Sequence, residues 1–156
     1  MKALNSIRIS GTEVLPLVEG GKGVAITSGL ASGSWAASGG IGTFSGVNAD
    51  SYDSGGAIIR QIYHAKTRRE RHEELIEYAI RGGIAQAKVA HETRKGQGLL
   101  NVNVLWEMGG AERVLSGILE GAKGLINGVT CGAGMPYRLA ELAAKHQVDY
   151  YPIISS

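Results

Sequence analysis

Glycine, asparagine and cysteine recur at the ends of short apolar runs in this chain, and those positions are where chemistry could be done. Gly20-Gly21-Lys22-Gly23 follows the apolar run 14–19. Glycine there lets backbone come close to a ligand, and the same four residues also suit a plain turn. The spacing G-x-x-x-x-G-K-[ST] is absent, so this is not a nucleotide phosphate loop of that kind. Asn101 and Asn103, two apart in the run LLNVNVLW, share one face of a strand, and a polar pair on an inward face needs partners. Cys131 opens a turn at the end of another apolar run. A thiol could be a nucleophile, but a small buried residue at a strand end is the stronger expectation. His64, His72, His91 and His146 have no ligand-like spacing with carboxylates or with the cysteine, so no metal site is expected.

The elements that would position these residues alternate. Residues 14–19 read as a first strand. Residues 28–38 read as a helix with a serine near its start, and 39–46 as a short glycine-flanked strand. Residues 47–63 are polar and irregular. Thr67-Arg-Arg-Glu70 is a capping box, and Leu75, Ile76, Ala79 and Ile80 form an apolar stripe behind it. Gly82-Gly83 is expected to break that helix, with a second segment from 84 to about 91. Further strands are expected over 99–106, 124–131 and 148–155. Helices are expected over 111–119 and from Pro136, at a first helical position, to about 146. Five strands alternating with helices make an α/β fold with a parallel sheet. Polar or glycine residues follow nearly every strand, as the C-terminal face of a barrel requires, whereas an open sheet concentrates them at one switch point.

With 156 residues the chain is expected to form one domain with a real core. Its 24 glycines sit in clusters between apolar runs, not in low-complexity tracts. A net charge of +2 argues for neither nucleic acid nor a membrane as partner. Arg68, Arg69 and Arg71 are answered by Glu70, Glu73 and Glu74, which reads as a solvated helix face. One cysteine excludes an internal disulfide and fits a reducing compartment. No secretory or membrane-spanning run is seen, so a cytoplasmic protein is expected.

Taken in order, Leu15-Pro-Leu-Val-Glu-Gly-Gly-Lys22, Ala37-Ser-Gly-Gly-Ile-Gly-Thr-Phe-Ser-Gly46, Asn101-Val-Asn103, Gly132-Ala-Gly-Met-Pro136 and Tyr151-Pro-Ile-Ile-Ser-Ser156 carry a family likeness. From about residue 13 onward the chain resembles the FMN-dependent nitronate monooxygenase (2-nitropropane dioxygenase-like) family. It is also similar to the flavin-dependent enoyl-acyl-carrier-protein reductases. The resemblance implies a (β/α)8 TIM barrel, of which about the first five strands lie in this chain, with FMN at the C-terminal ends of the strands. Gly20, Gly21 and Lys22 would form the loop whose backbone runs under the flavin ring, and Lys22 would meet a flavin or substrate anion or face water. Asn103 would contact the flavin, with Asn101 bonded internally. The turn at Cys131 and Gly132 would lie near flavin or substrate, and Ser155 would end the fifth strand.

Three departures stand out. The family often has proline and methionine in the first loop. The stretch 47–98 is longer than usual and is expected to be an extended helical insertion. The family's catalytic histidine follows a sixth strand, so no catalytic residue is assigned here. The implied reaction is oxidation of an alkyl nitronate by O2. The alternative on the same barrel is an NAD(P)H-dependent quinone or enoyl reductase. A further alternative is a catalytically incomplete unit that forms homo-oligomers or joins a chain completing the barrel.

Overall fold

A computed structural model describes residues 4–132 and 134–154. Ser155 therefore lies outside the described residues. The fold is mixed α/β, with a hairpin, a four-stranded parallel sheet and four helices among the described residues. The hairpin pairs β1 (Ile7–Ile9) with β2 (Thr12–Val14), antiparallel. Then follow α1 (Gly29–Ala37), β3 (Ile41–Ser45), α2 (Arg68–Thr93), β4 (Leu99–Leu105), α3 (Ala111–Gly121), β5 (Gly128–Gly132), α4 (Leu139–Lys145) and β6 (Asp149–Pro152). The parallel strands lie in chain order, β3-β4-β5-β6, with no reversal.

Side-chain alternation splits the sheet into two unlike faces. Phe44, Leu100, Val102, Val104, Val129 and Cys131 point to one face. There they join residues from all four helices, among them Ala36, Ile76, Ala87, Leu115, Ile118 and Leu139, in one buried cluster. Each fully buried aliphatic side chain there contributes about 1.5–3 kcal/mol relative to exposure. The opposite face carries Thr43, Ser45, Asn101, Asn103, Thr130 and Tyr151 in register: Thr43 beside Asn101, and Ser45 beside Asn103 beside Thr130 beside Tyr151. The β1–β2 hairpin covers the N-terminal end of this polar face. Its Val14 and Ile9 meet Ile41 and Leu99, and the Ser10 hydroxyl donates to Asp149 on the far strand.

Three sequence expectations change. Residues 14–19 do not form a regular strand. Val14 ends the hairpin, and Val18 makes one parallel bridge to Ile41, with Ile41 N donating to Leu17 O and Glu19 N to Ile41 O (both 2.8 Å). That stretch thus runs beside β3 as a fifth parallel line without ladder length. Second, Gly82-Gly83 does not interrupt α2, which is continuous over 26 residues. These glycines serve close approach: a Cβ on Gly82 would stand 1.7 Å from Ala49 O, and one on Gly83 2.3 Å from Ile118 Cδ1. Gly29 and Gly33 do the same for α1 against α2, with Cβ positions 2.2 Å from Gln86 O and 2.6 Å from Ala90 O. Third, Pro136 precedes the helix: its carbonyl accepts from Leu139 N in a turn, and α4 starts at Leu139.

Other local signals hold. Ser28 caps α1, its hydroxyl accepting from Ala31 N, and both halves of the Thr67/Glu70 capping box are formed. The long stretch after β3 contains a small hairpin, with a Tyr52–Ile58 bridge turned by the Asp53 carboxylate, which accepts from Gly55 N and Ala57 N. It then leads into α2.

Candidate functional site at the strand ends

The polar face meets the glycine loop at the C-terminal end of β3 and β4. Asn103 is 3% exposed and its Oδ1 accepts from Thr130 Oγ1 at 2.9 Å, which directs the amide NH2 away from β5. Gly21 lies directly over Asn103. A Cβ on Gly21 would fall 2.4 Å from Asn103 Cβ, 2.8 Å from its Cγ and 2.9 Å from Thr43 Cγ2. Only a residue without a side chain lets the backbone settle there. Gly20, one residue earlier, has open space where its side chain would be, and Lys22 is exposed.

Side chains of β3 and its loop fasten this backbone to the sheet. The Glu19 carboxylate accepts from Thr43 N at 2.9 Å, taking over where the short parallel ladder stops. Thr27 Oγ1 accepts from Lys22 N (3.2 Å), while Ser45 N donates to Thr27 O (2.9 Å). The buried Ser45 hydroxyl accepts from both Ala25 N and Val47 N. Val24 and Ala25 sit at φ 53° and 59°, a left-handed conformation that is uncommon for residues with side chains, above all for a β-branched one. Such geometry costs about 1–3 kcal/mol per residue and persists where the surroundings over-determine it. The bonds from Thr27, Ser45 and Val47 do so here.

The expected site residues separate into groups. Gly20, Gly21, Lys22 and Asn103 come together. Gly132 ends β5 on the same polar-face register as Thr130, opposite Leu105, with Ile153 beside it. Cys131 is different: its side chain belongs to the helix-side core and is 0% exposed. Burial pushes the thiol up to about 11, which opposes thiolate formation at neutral pH. Toward the polar face, the end of β5 presents the backbone of Gly132. Asn101 is buried with its Oδ1 facing Gly128, where a Cβ would stand 2.6 Å away, and Asn103 makes the bond to Thr130.

Sequence reading passed over Thr43, Thr130 and Glu19. Thr43 Oγ1 is buried with no hydrogen-bond partner among the described residues, an orphan on the polar face below the loop. The signal existed: Thr43 and Ser45 repeat the two-residue polar spacing of Asn101 and Asn103 one strand away. The histidines lie elsewhere. His64 N bonds Glu74, His72 lies against Gly109, His91 faces Arg94 and His146 caps α4. No cluster suited to a metal ion occurs among the described residues. At the same end of the sheet, α2 and the loop before α3 enclose a separate apolar cleft of about 220 Å³, lined by Leu75, Ile76, Met108 and Val114, with His72 and Asn48 as its polar groups. Among the described residues, no helix is long and apolar enough to cross a membrane.

No family model matches the chain, and no curated protein matches it.

Proposed function

We propose that this chain forms part of an FMN-dependent oxidoreductase of the nitronate monooxygenase type, on a (β/α)8-barrel arrangement. The observation that carries the reading is the seat of Gly21 on Asn103 and Thr43, which lays a side-chain-free backbone across the polar ends of parallel strands. Strands in unreversed chain order, with all four helices on one face, support the barrel, whose interior the polar face would line.

The residues present suit a flavin. Gly20 leaves its peptide open to a planar ring, the Asn103 amide offers donors to ring heteroatoms, and Lys22 can neutralise an anion. The orphaned Thr43 hydroxyl supplies one more polar group below the loop. Bound FMN would supply the redox chemistry, taking electrons from an alkyl nitronate and passing them to O2. The chain's part is to hold and orient: Thr130 fixes the Asn103 amide, Ser45 and Thr27 lock the loop, and Glu19 ties it to β3.

A visible absorption spectrum of the chain after incubation with FMN and removal of free ligand tests this. Retained flavin bands near one per chain, weakened in Asn103→Ala, are expected; a colourless protein defeats the reading. An NAD(P)H-dependent quinone or enoyl reductase uses the same seat. Bleaching of the bound flavin by NAD(P)H without oxygen would favour it, and bleaching by a nitronate alone favours the monooxygenase.

A second reading rests on a specific observation. The parallel sheet has helices on one face only, and β6 is its edge, flanked by exposed Met135, Tyr137, Ile153 and Ile154. Parallel sheets are ordinarily covered on both faces, and such edges invite pairing. The unit would then associate with a second copy or with a polypeptide that completes the barrel. Light scattering tests this; a monomer at all concentrations would count against it.

A further inference from the structure

The basic charge of the chain is not spread evenly. Residues 58–71 hold five cations (Arg60, Lys66, Arg68, Arg69, Arg71) and one carboxylate (Glu70), a local excess of +4 against +2 for the whole chain. The carboxylates of the next turns, Glu73, Glu74 and Glu77, keep their charge and bring residues 58–77 to a net +1, but those nearest the arginines are held by local partners. Glu70 is bound within its capping box, Glu74 accepts from His64 N and Ala65 N, and Glu73 is held by Arg113, which keeps its carboxyl below the usual range. The ion pairs among the described residues, Arg113–Glu73 and Arg138–Glu112, include none of these five cations.

Interleaved with the cations are large apolar side chains in water. Ile58 is 58% exposed, Ile59 41%, Ile62 58% and Tyr63 39%. Ile58 and Ile59 are neighbours in an extended segment, so they point opposite ways, yet both are exposed. The segment therefore protrudes with both sides in solvent. It is nevertheless fixed. The Tyr78 hydroxyl accepts from Ile62 N (3.1 Å) and donates to Ile62 O (2.7 Å), Tyr63 meets Tyr78 edge-on, and Arg81 stacks on the Tyr78 ring at 4.8 Å. Arg71, Tyr78 and Arg81 follow helical spacing along one side of α2, with Glu74 among them.

We infer that this protrusion is a docking surface for an anionic lipid bilayer, resting on the surface without spanning it. A ridge of isoleucines exposed on both sides can enter the headgroup region, while the flanking arginines and lysine meet lipid phosphate and carboxylate groups. A nucleic-acid surface would be read through phosphates and stacked aromatics and would leave the isoleucines in water. A second copy docking through the same patch would set cations against cations. Chain-wide charge, from which no membrane partner is expected, averages this asymmetry away.

The test is co-sedimentation of the whole chain with vesicles of phosphatidylserine and phosphatidylcholine at about 1:2, against phosphatidylcholine alone, at low and high salt. Binding to the anionic vesicles only, at least about tenfold weaker at high salt, is expected. Ile58→Asp/Ile62→Asp and Arg68→Glu/Arg71→Glu should each lower it by about tenfold or more. Both pairs are exposed, and circular dichroism checks that the variants fold; Ile62→Trp gives an independent readout, its fluorescence shifting blue on anionic vesicles. No sedimentation with anionic vesicles overturns the inference. So does sedimentation that the isoleucine variant leaves unchanged. Salt-sensitive binding to duplex DNA that exceeds vesicle binding would assign the patch to nucleic acid instead.

Discussion

Replacing Gly21 by alanine tests whether the loop's seat on the strand ends is a binding device. The added Cβ would lie 2.4 Å from Asn103 Cβ and 2.9 Å from Thr43 Cγ2. Carbon atoms rest at about 3.5–4.0 Å, so the loop must lift by about 1 Å or more. Asn103 cannot yield instead, because Thr130 holds its amide and Gly46 N donates to its carbonyl (2.8 Å). Overpacking of this kind costs about 1–3 kcal/mol. The loop is partly exposed, which places the loss near the lower end, about 2–4 °C in melting temperature for a domain of this size. FMN affinity should suffer more, since a shift of about 1 Å breaks near-contact geometry; a fall of about tenfold or more is expected. Gly20→Ala is the matched control. Its Cβ meets nothing within 4 Å, so stability should stay within about 0.5 kcal/mol. Thermal melts and flavin fluorescence titrations of both variants decide the matter. Equal affinity in Gly21→Ala and wild type, with an unshifted melt, would refute the reasoning.

Three further outcomes follow from the packing. Gln86 is 3% exposed; its Oε1 accepts from Gly29 N (2.6 Å), and its Nε2 donates to Asp50 O (2.7 Å) and Tyr52 Oη (3.0 Å). Gln86→Leu should cost about 2–4 kcal/mol in chemical denaturation by leaving these groups unpaired. Gly82→Ala should destabilise despite alanine's helix propensity, because its Cβ falls 1.7 Å from Ala49 O; a melt at or above that of wild type would contradict the close approach. The Cys131 thiol is pushed from an ordinary 9.0 up to about 11. The folded state therefore holds the proton more tightly. The resulting stability is complete below about pH 9 and is lost as pH rises toward 11, by about 1–3 kcal/mol. Urea melts across that window should be flatter for Cys131→Ala, and alkylation of native Cys131 near neutral pH should be slow.

Much of the architecture was legible because it rests on local chemistry. The Thr67/Glu70 box, the Ser28 cap and the apolar stripe of Val114, Leu115, Ile118 and Leu119 each report a helix through neighbours three or four residues away. What escaped depends on distant partners. Gly82-Gly83 looks like a break until Ala49 and Ile118 arrive to fill the space above it. Pro136 looks like a helix start, but the turn closed by Leu139 N begins α4 three residues later. The first strand is shortened because the Glu19 carboxylate takes the Thr43 amide that a longer ladder would use. Within the site, Asn103 and the glycines were visible as types at strand ends. The hydrogen bond from Thr130 and the orphaned Thr43 hydroxyl required register between strands 27 and 58 residues apart in sequence. Cys131 is the small buried residue expected at a strand end, and the face its side chain takes was not legible from that position.

The most direct measurement of the central claim is an amide ¹H–¹⁵N spectrum of this 16.4 kDa chain during titration with FMN. The account predicts saturable shifts confined to residues 19–23, Thr43 to Gly46, Asn103 to Leu105 and the turn after β5. An unchanged spectrum, or shifts that cluster instead in the cleft of Leu75, Met108 and Val114, would contradict it.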